Sequence, residues 1–179
     1  FKNQLQVLQN HGKIITPAEL LNNYNDIVLS KNNYYLITFD DGLKEQYDLA
    51  LPILNELGTA ALFFINSVNY TENKVSLVHK IHLVRSEISS SIILDQINLT
   101  DKNSTLTISE SEKATNHYKY DDTETAKLKC LLNFKMNLTH VERIIQDLFK
   151  KYFNENEVVN NLYMNKNQLN DIAHKQLLG

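Results

Sequence analysis

A chain of 179 residues, 42% hydrophobic and 22% charged, can bury one domain core and has the composition of an ordinary globular protein. Its 18 basic and 21 acidic residues leave a formal charge of -3, which gives no electrostatic reason to expect a nucleic-acid or anionic-membrane partner. A lone cysteine, Cys130, excludes an internal disulfide and a cysteine-rich zinc site, and no apolar run approaches the ~20 residues of a membrane-spanning helix.

The chain opens on Phe1-Lys2-Asn3, with no Met and no signal-peptide pattern, and closes on Gly179, so both ends read as cut. Phe1, Leu5 and Leu8 stand at helical spacing, and His11-Gly12 ends that pattern. Lys13-Ile14-Ile15 is a short strand or extended link. Thr16-Pro17-Ala18-Glu19 reads as a capping box that opens a short helix through about Asn23.

Tyr34 to Phe39, aromatic and β-branched, predicts a buried strand. Beyond Gly42, the recurrence of Leu43, Tyr47, Ala50, Leu54 and Leu57 marks a helix face, with a kink or break expected at Pro52 and a stop at Gly58. Ala60 to Ile65 is apolar without alternation, as strands covered on both faces tend to be. Strand, helix and strand here predict a βαβ unit with parallel strands.

The remainder reads as mainly helical. Val75 to Ile93 predicts one amphipathic helix, and polar Asn98 to Tyr120 predicts a loop or loosely ordered insertion. Thr123 to Phe134 and Thr139 to Phe153 predict helices, the second with Val141, Ile144, Ile145, Leu148 and Phe149 on one face. Asn165 to Leu178 predicts a last helix. Cys130, within Leu128 to Leu132, reads as a buried and inert thiol.

The sharpest motif is Thr38-Phe39-Asp40-Asp41-Gly42. In parallel α/β folds reactive groups gather at the carboxyl ends of strands, where this pair stands. Asp and Gly are also ordinary turn formers, so a purely structural turn competes with a site. Two carboxylates held close repel unless a proton or cation neutralises one, and a divalent metal does so while leaving the other free as a base.

Thr38-Phe39-Asp40-Asp41-Gly42 resembles the first motif of the polysaccharide deacetylases, the NodB-like carbohydrate esterases of family four. The likeness extends through Ile14-Ile15-Thr16-Pro17-Ala18-Glu19-Leu20 before it. After it come Tyr47-Asp48-Leu49-Ala50-Leu51-Pro52-Ile53-Leu54 and Ala60-Ala61-Leu62-Phe63-Phe64-Ile65, so roughly the first 67 residues are covered. The resemblance implies an α/β fold, the front of a distorted (β/α) barrel, and metal-dependent removal of N-acetyl or O-acetyl groups from a polysaccharide. It implies Asp40 as general base and Asp41 as ligand of a divalent metal, zinc first and cobalt as a possibility, with an acetylated glycan as substrate.

The family completes its metal site with a His-(Ser/Thr)-x-x-His motif, and this chain has no such spacing. His79-Lys80-Ile81-His82 is the nearest imitation; residues three apart share a helix face, which makes His79 and His82 candidate metal or cleft residues. His11, His117, His140 and His174 have no partner close in sequence. Tyr163 to Ala173 resembles the helix that leads into the family's second motif. The expectation is therefore a deacetylase part over 1–75, a mainly helical insertion over 76–161, and a helix over 162–179 returning to a barrel whose histidines lie beyond Gly179. A bacterial envelope or cytoplasmic setting is the loose expectation.

Competing readings are a non-catalytic, deacetylase-like glycan binder and a phosphatase or receiver-type domain. Phosphatases of the dehalogenase type need Asp-x-Asp, whereas these two are adjacent. Receiver domains open early on their acidic pair, whereas here more than thirty residues come first.

Overall fold

The computed structural model describes residues 1–100 and 105–174. They form two compact units: Phe1–Lys74 with the chain from Asn156 onward, and Val75–Glu155.

The first unit begins with helix α1 (Lys2–His11), which buries Leu5. Strand β1 (Lys13–Ile14) follows, then α2 (Pro17–Asn22), opened by the anticipated box. Thr16 Oγ accepts from the Glu19 amide at 3.0 Å and Glu19 Oε2 accepts from the Thr16 amide at 2.8 Å, satisfying two helix-end donors at once. Helix α3 (Tyr24–Leu29), which the sequence reading did not foresee, comes next, and neither α2 nor α3 has a fully buried residue.

The predicted strand over Tyr34 to Phe39 is one extended segment with two partners. Its start, β2 (Tyr34–Tyr35), pairs parallel with β1, and its end, β3 (Thr38–Phe39), pairs parallel with β4 (Leu62–Phe63). The connection from β3 to β4 is helical: a wide π turn at Gln46–Ala50 runs into α4 (Leu51–Glu56). The break anticipated at Pro52 takes this form. Pro has no N–H to give, and Leu51 N–H instead reaches back five residues to the Gln46 carbonyl.

Burial along β4 corrects one expectation. Ala61 and Phe63 are wholly buried while Leu62 is half-buried and Phe64 exposed, so one face is fully covered and the other only in part. Phe63 stacks on Phe39 with ring centroids 4.8 Å apart. Around them Leu5, Leu51, Leu54, Met164 and Ile172 complete the core. After β4 comes the short α5 (Val68–Thr71).

The second unit is helical. The single helix expected over Val75 to Ile93 is two, α6 (Leu77–Glu87) and α7 (Ser90–Thr100), separated where Ile88 adopts an extended conformation. Ser89 and Ser91 favour this break, because their hydroxyls bond each other at 2.8 Å and such local bonds compete with a helix interior. The polar stretch expected as a loop contains α8 (Ile108–His117), opened by a second capping box between Thr107 and Glu110; its residues 101–104 lie outside the described residues.

Helix α9 (Thr123–Cys130) continues into a second π turn at Leu131–Lys135, and α10 (Leu138–Tyr152) follows. The buried residues of α10 are Val141, Ile144, Ile145, Leu148 and Phe149, the face read from the sequence. Helix α10 packs on α6, and α9 packs on α7 and α8. Cys130 is half-buried rather than buried.

The chain returns to the first unit through α11 (Glu155–Leu162), which had not been anticipated, and α12 (Lys166–His174). The part of the last predicted helix beyond 174 lies outside the described residues. The class is α/β with small parallel sheets; among the described residues the strands form two pairs and not a closed barrel.

Candidate functional site

The acidic motif sits where β3 ends. Asp40 is exposed, Asp41 is half-buried and Gly42 is buried. Asp41 has φ 71° and Gly42 has φ 65°, so the chain makes two consecutive left-handed steps as it leaves the sheet. Glycine takes this conformation freely, whereas for other L-residues it costs about 1–2 kcal/mol, with Asp and Asn the most tolerant. Asp40 and Asp41 are thus placed by a turn whose backbone must be held.

Several groups hold it. The Met164 amide donates to the Gly42 carbonyl at 2.9 Å, and Leu43 forms an isolated antiparallel bridge with Tyr163. Gln46 Nε2 donates to the Asp40 carbonyl at 2.6 Å, while its Oε1 is buried with no hydrogen-bond partner among the described residues. The Tyr70 hydroxyl lies 3.5 Å from the Gly42 carbonyl, a long contact. A Cβ on Gly42 would come within 2.9 Å of that hydroxyl and 3.0 Å of Ile65 Cδ1, so glycine is required here by space as well as by φ.

Burial, and secondarily the neighbouring Tyr163, push the Tyr70 phenol up to about 12, so it remains a protonated donor under ordinary conditions. The helical turn after the motif is tied to α12: Tyr47 donates to Asp171 Oδ2 at 3.0 Å, and Gln168 Nε2 donates to Asp48 Oδ1 at 3.1 Å.

His79 and His82 both lie on α6 of the second unit, His79 half-buried and His82 exposed. Between them Lys80 is buried, paired with Glu155 at 2.5 Å and bonded to Gln146 Oε1 at 2.5 Å. A carboxylate is a hard oxygen donor suited to a divalent cation, but a structural or catalytic zinc takes at least three protein ligands. Among the described residues no group of three or more His, Cys, Asp or Glu could hold a metal ion. On their own these residues do not fit the metal that the resemblance implies.

Tyr70, Gln46 and the Tyr163–Met164 pair were missed in the sequence. Gln46 follows Asp40 by six residues and could have been suspected as a loop anchor; Tyr163 and Met164 are more than 120 positions from Gly42 and carry no local sign of the pairing.

Comparison with known families agrees with the motif. Residues 30–117, a stretch that includes the acidic turn, match the model described as polysaccharide deacetylase. The match supports a deacetylase-type hydrolase at the level of the family, and that family implies a glycan as the class of substrate. No curated protein and no solved structure matches the chain. No helix among the described residues is long and apolar enough to cross a membrane.

Proposed function

We propose that the protein hydrolyses acetyl groups on a polysaccharide or other glycan, N-acetyl before O-acetyl, with Asp40 as general base. The observation that carries this reading is the held turn at the end of β3, which presents one exposed and one half-buried carboxylate within the family match. Asp40 takes a proton from the attacking water, whose oxygen bonds to the acetyl carbonyl carbon. The bond from that carbon to the sugar nitrogen then breaks, leaving acetate and an amine that must gain a proton.

A divalent cation, zinc before cobalt, is the cofactor this reading calls for, and Asp41 is the ligand the turn offers. Such an ion supplies Lewis-acid polarisation of the acetyl oxygen when bound. The described residues do not complete its coordination. His79 and His82 lie on α6 of the second unit and have no role in this reading.

The test is acetate release from an N-acetylated oligosaccharide, with zinc or cobalt supplied. Asp40→Asn is expected to lower turnover by roughly 100-fold or more, the usual scale for a general base, while metal binding persists. Asp41→Asn is expected to weaken metal binding instead; the reverse pattern sinks both assignments. The absence of a three-donor group among the described residues favours, as second reading, a glycan binder without turnover. That reading predicts sugar binding with no acetate released at any metal concentration.

A further inference from the structure

A cavity of about 210 Å³ lies entirely within the first unit, lined among others by Asn69, Tyr70, Asn160, Tyr163, Met164 and Lys166. Three of these residues also touch the acidic turn. Tyr70 reaches the Gly42 carbonyl, Met164 donates to the same carbonyl, and Tyr163 pairs with Leu43. The cavity and the turn therefore share a wall.

Its polar groups divide into a fixed floor and an unengaged rim. Asn69 is buried, with Nδ2 donating to the Lys74 carbonyl at 2.8 Å. Among the described residues the Tyr70 hydroxyl has only its long 3.5 Å contact, so it retains hydrogen-bonding capacity. Asn160 and Lys166 are exposed at the rim, and among the described residues neither makes a side-chain hydrogen bond or ion pair.

We propose that this cavity is a subsite for a single sugar ring of the glycan, a proposal that rests on the deacetylase reading. An amide that both donates and accepts, a phenol, an ammonium donor and the rings of Tyr70 and Tyr163 match the hydroxyls, acetamide and C–H face of an N-acetylated sugar. The volume is below the roughly 300–1,000 Å³ of pockets that take larger ligands, so one ring is the occupant and not a chain segment. Because Tyr70 and Met164 contact the Gly42 carbonyl and Tyr163 pairs with Leu43, a ring seated here lies beside the acidic turn.

The experiment is titration of the full chain with N-acetylglucosamine, followed by NMR through the side-chain amide of Asn160 and the backbone amides of 69–73 and 159–166. Shifts confined to these signals are expected. Asn160→Ala and Lys166→Ala, at exposed positions that folding does not require, should each weaken binding roughly five-fold, the worth of one net hydrogen bond. Asp40→Asn, outside the cavity, should leave affinity unchanged. Absence of binding, shifts located elsewhere, or variants that bind like the parent would each overturn the subsite. Acetate release separates the two claims: if Asp40→Asn abolishes turnover while the rim variants change nothing, the subsite fails and the deacetylase reading stands. If the parent protein releases no acetate but the rim variants weaken binding, the deacetylase reading fails and the subsite stands.

Discussion

The two units hold polar groups in opposite ways. In the first, the demanding element is a surface-reaching turn: left-handed steps at Asp41 and Gly42 follow Asp40, and the Gln46 side-chain amide and the Met164 backbone amide hold its carbonyls in place. In the second, the demanding element is interior. Lys80 is 6% exposed, its ammonium shared between Glu155 and Gln146 and lying 5.3 Å from the centroid of Phe149. Burial works against charge on Glu155, yet the Lys80 ammonium and the Val75 amide prevail and hold its carboxyl below the usual range. Fixed backbone with accessible charge is what a reactive group needs, whereas buried charge fully matched by partners serves packing.

The largest expected effect tests the interior arrangement. Lys80→Ala leaves Glu155 deprived of its cation, and removing one member of a buried pair costs about 3 kcal/mol, the low end of the range because Glu155 keeps some solvent. Urea unfolding followed by circular dichroism measures it. Lys80→Met combined with Glu155→Gln should restore much of the loss, since neutral groups need no counter-charge. A loss well below 1 kcal/mol for Lys80→Ala would mean that the pair is not matched in the way described.

The acidic turn gives the next effect. Gly42→Ala places a Cβ at positive φ and against the Tyr70 hydroxyl, for an expected cost of about 2 kcal/mol. Gly58, at φ 58° with open space around a Cβ, is the comparison: Gly58→Ala meets backbone strain alone, about 1 kcal/mol. Adding Tyr70→Phe to Gly42→Ala removes the closest obstructing atom and should recover part of the excess, though Ile65 Cδ1 remains at 3.0 Å. Equal costs at the two glycines, with no coupling to Tyr70, would show that the turn is not gripped from that side.

How far the sequence reveals these features depends on the range over which each is encoded. The Asp40-Asp41-Gly42 turn was legible because strand, breaker and helix pattern are contiguous, and the five-residue face of α10 because its period is local. The capping box at Thr107 was equally local, Thr-x-x-Glu, but was submerged in a polar run that read as a loop. The partly exposed face of β4 could not be read, because it depends on what the rest of the chain leaves uncovered. Nor could the grip on Gly42: a backbone amide carries no side-chain signature, and Met164 is brought there only by the folding of the first unit.

The smallest effect concerns a device the two units share. Glu19 in the first and Glu110 in the second each close a capping box and each pair with a lysine, Lys13 at 2.6 Å and Lys135 at 2.6 Å. The lysine bond first, and the Thr amide next, lower both carboxyls from 4.5 to about 2. A depressed folded-state value means that the stabilisation is fully present above the unfolded value of 4.5 and is lost as pH falls from there through about 2. Carboxyl-carbon NMR titration should therefore find both midpoints well below 4.5, and added salt should move both upward, because these pairs are solvent-accessible. Lys13→Met should raise the Glu19 midpoint and leave Glu110 where it was. Should Glu19 stay low without its lysine, the Thr16 amide is the dominant partner, and the helix cap rather than the ion pair sets the acid sensitivity of this end of the first unit.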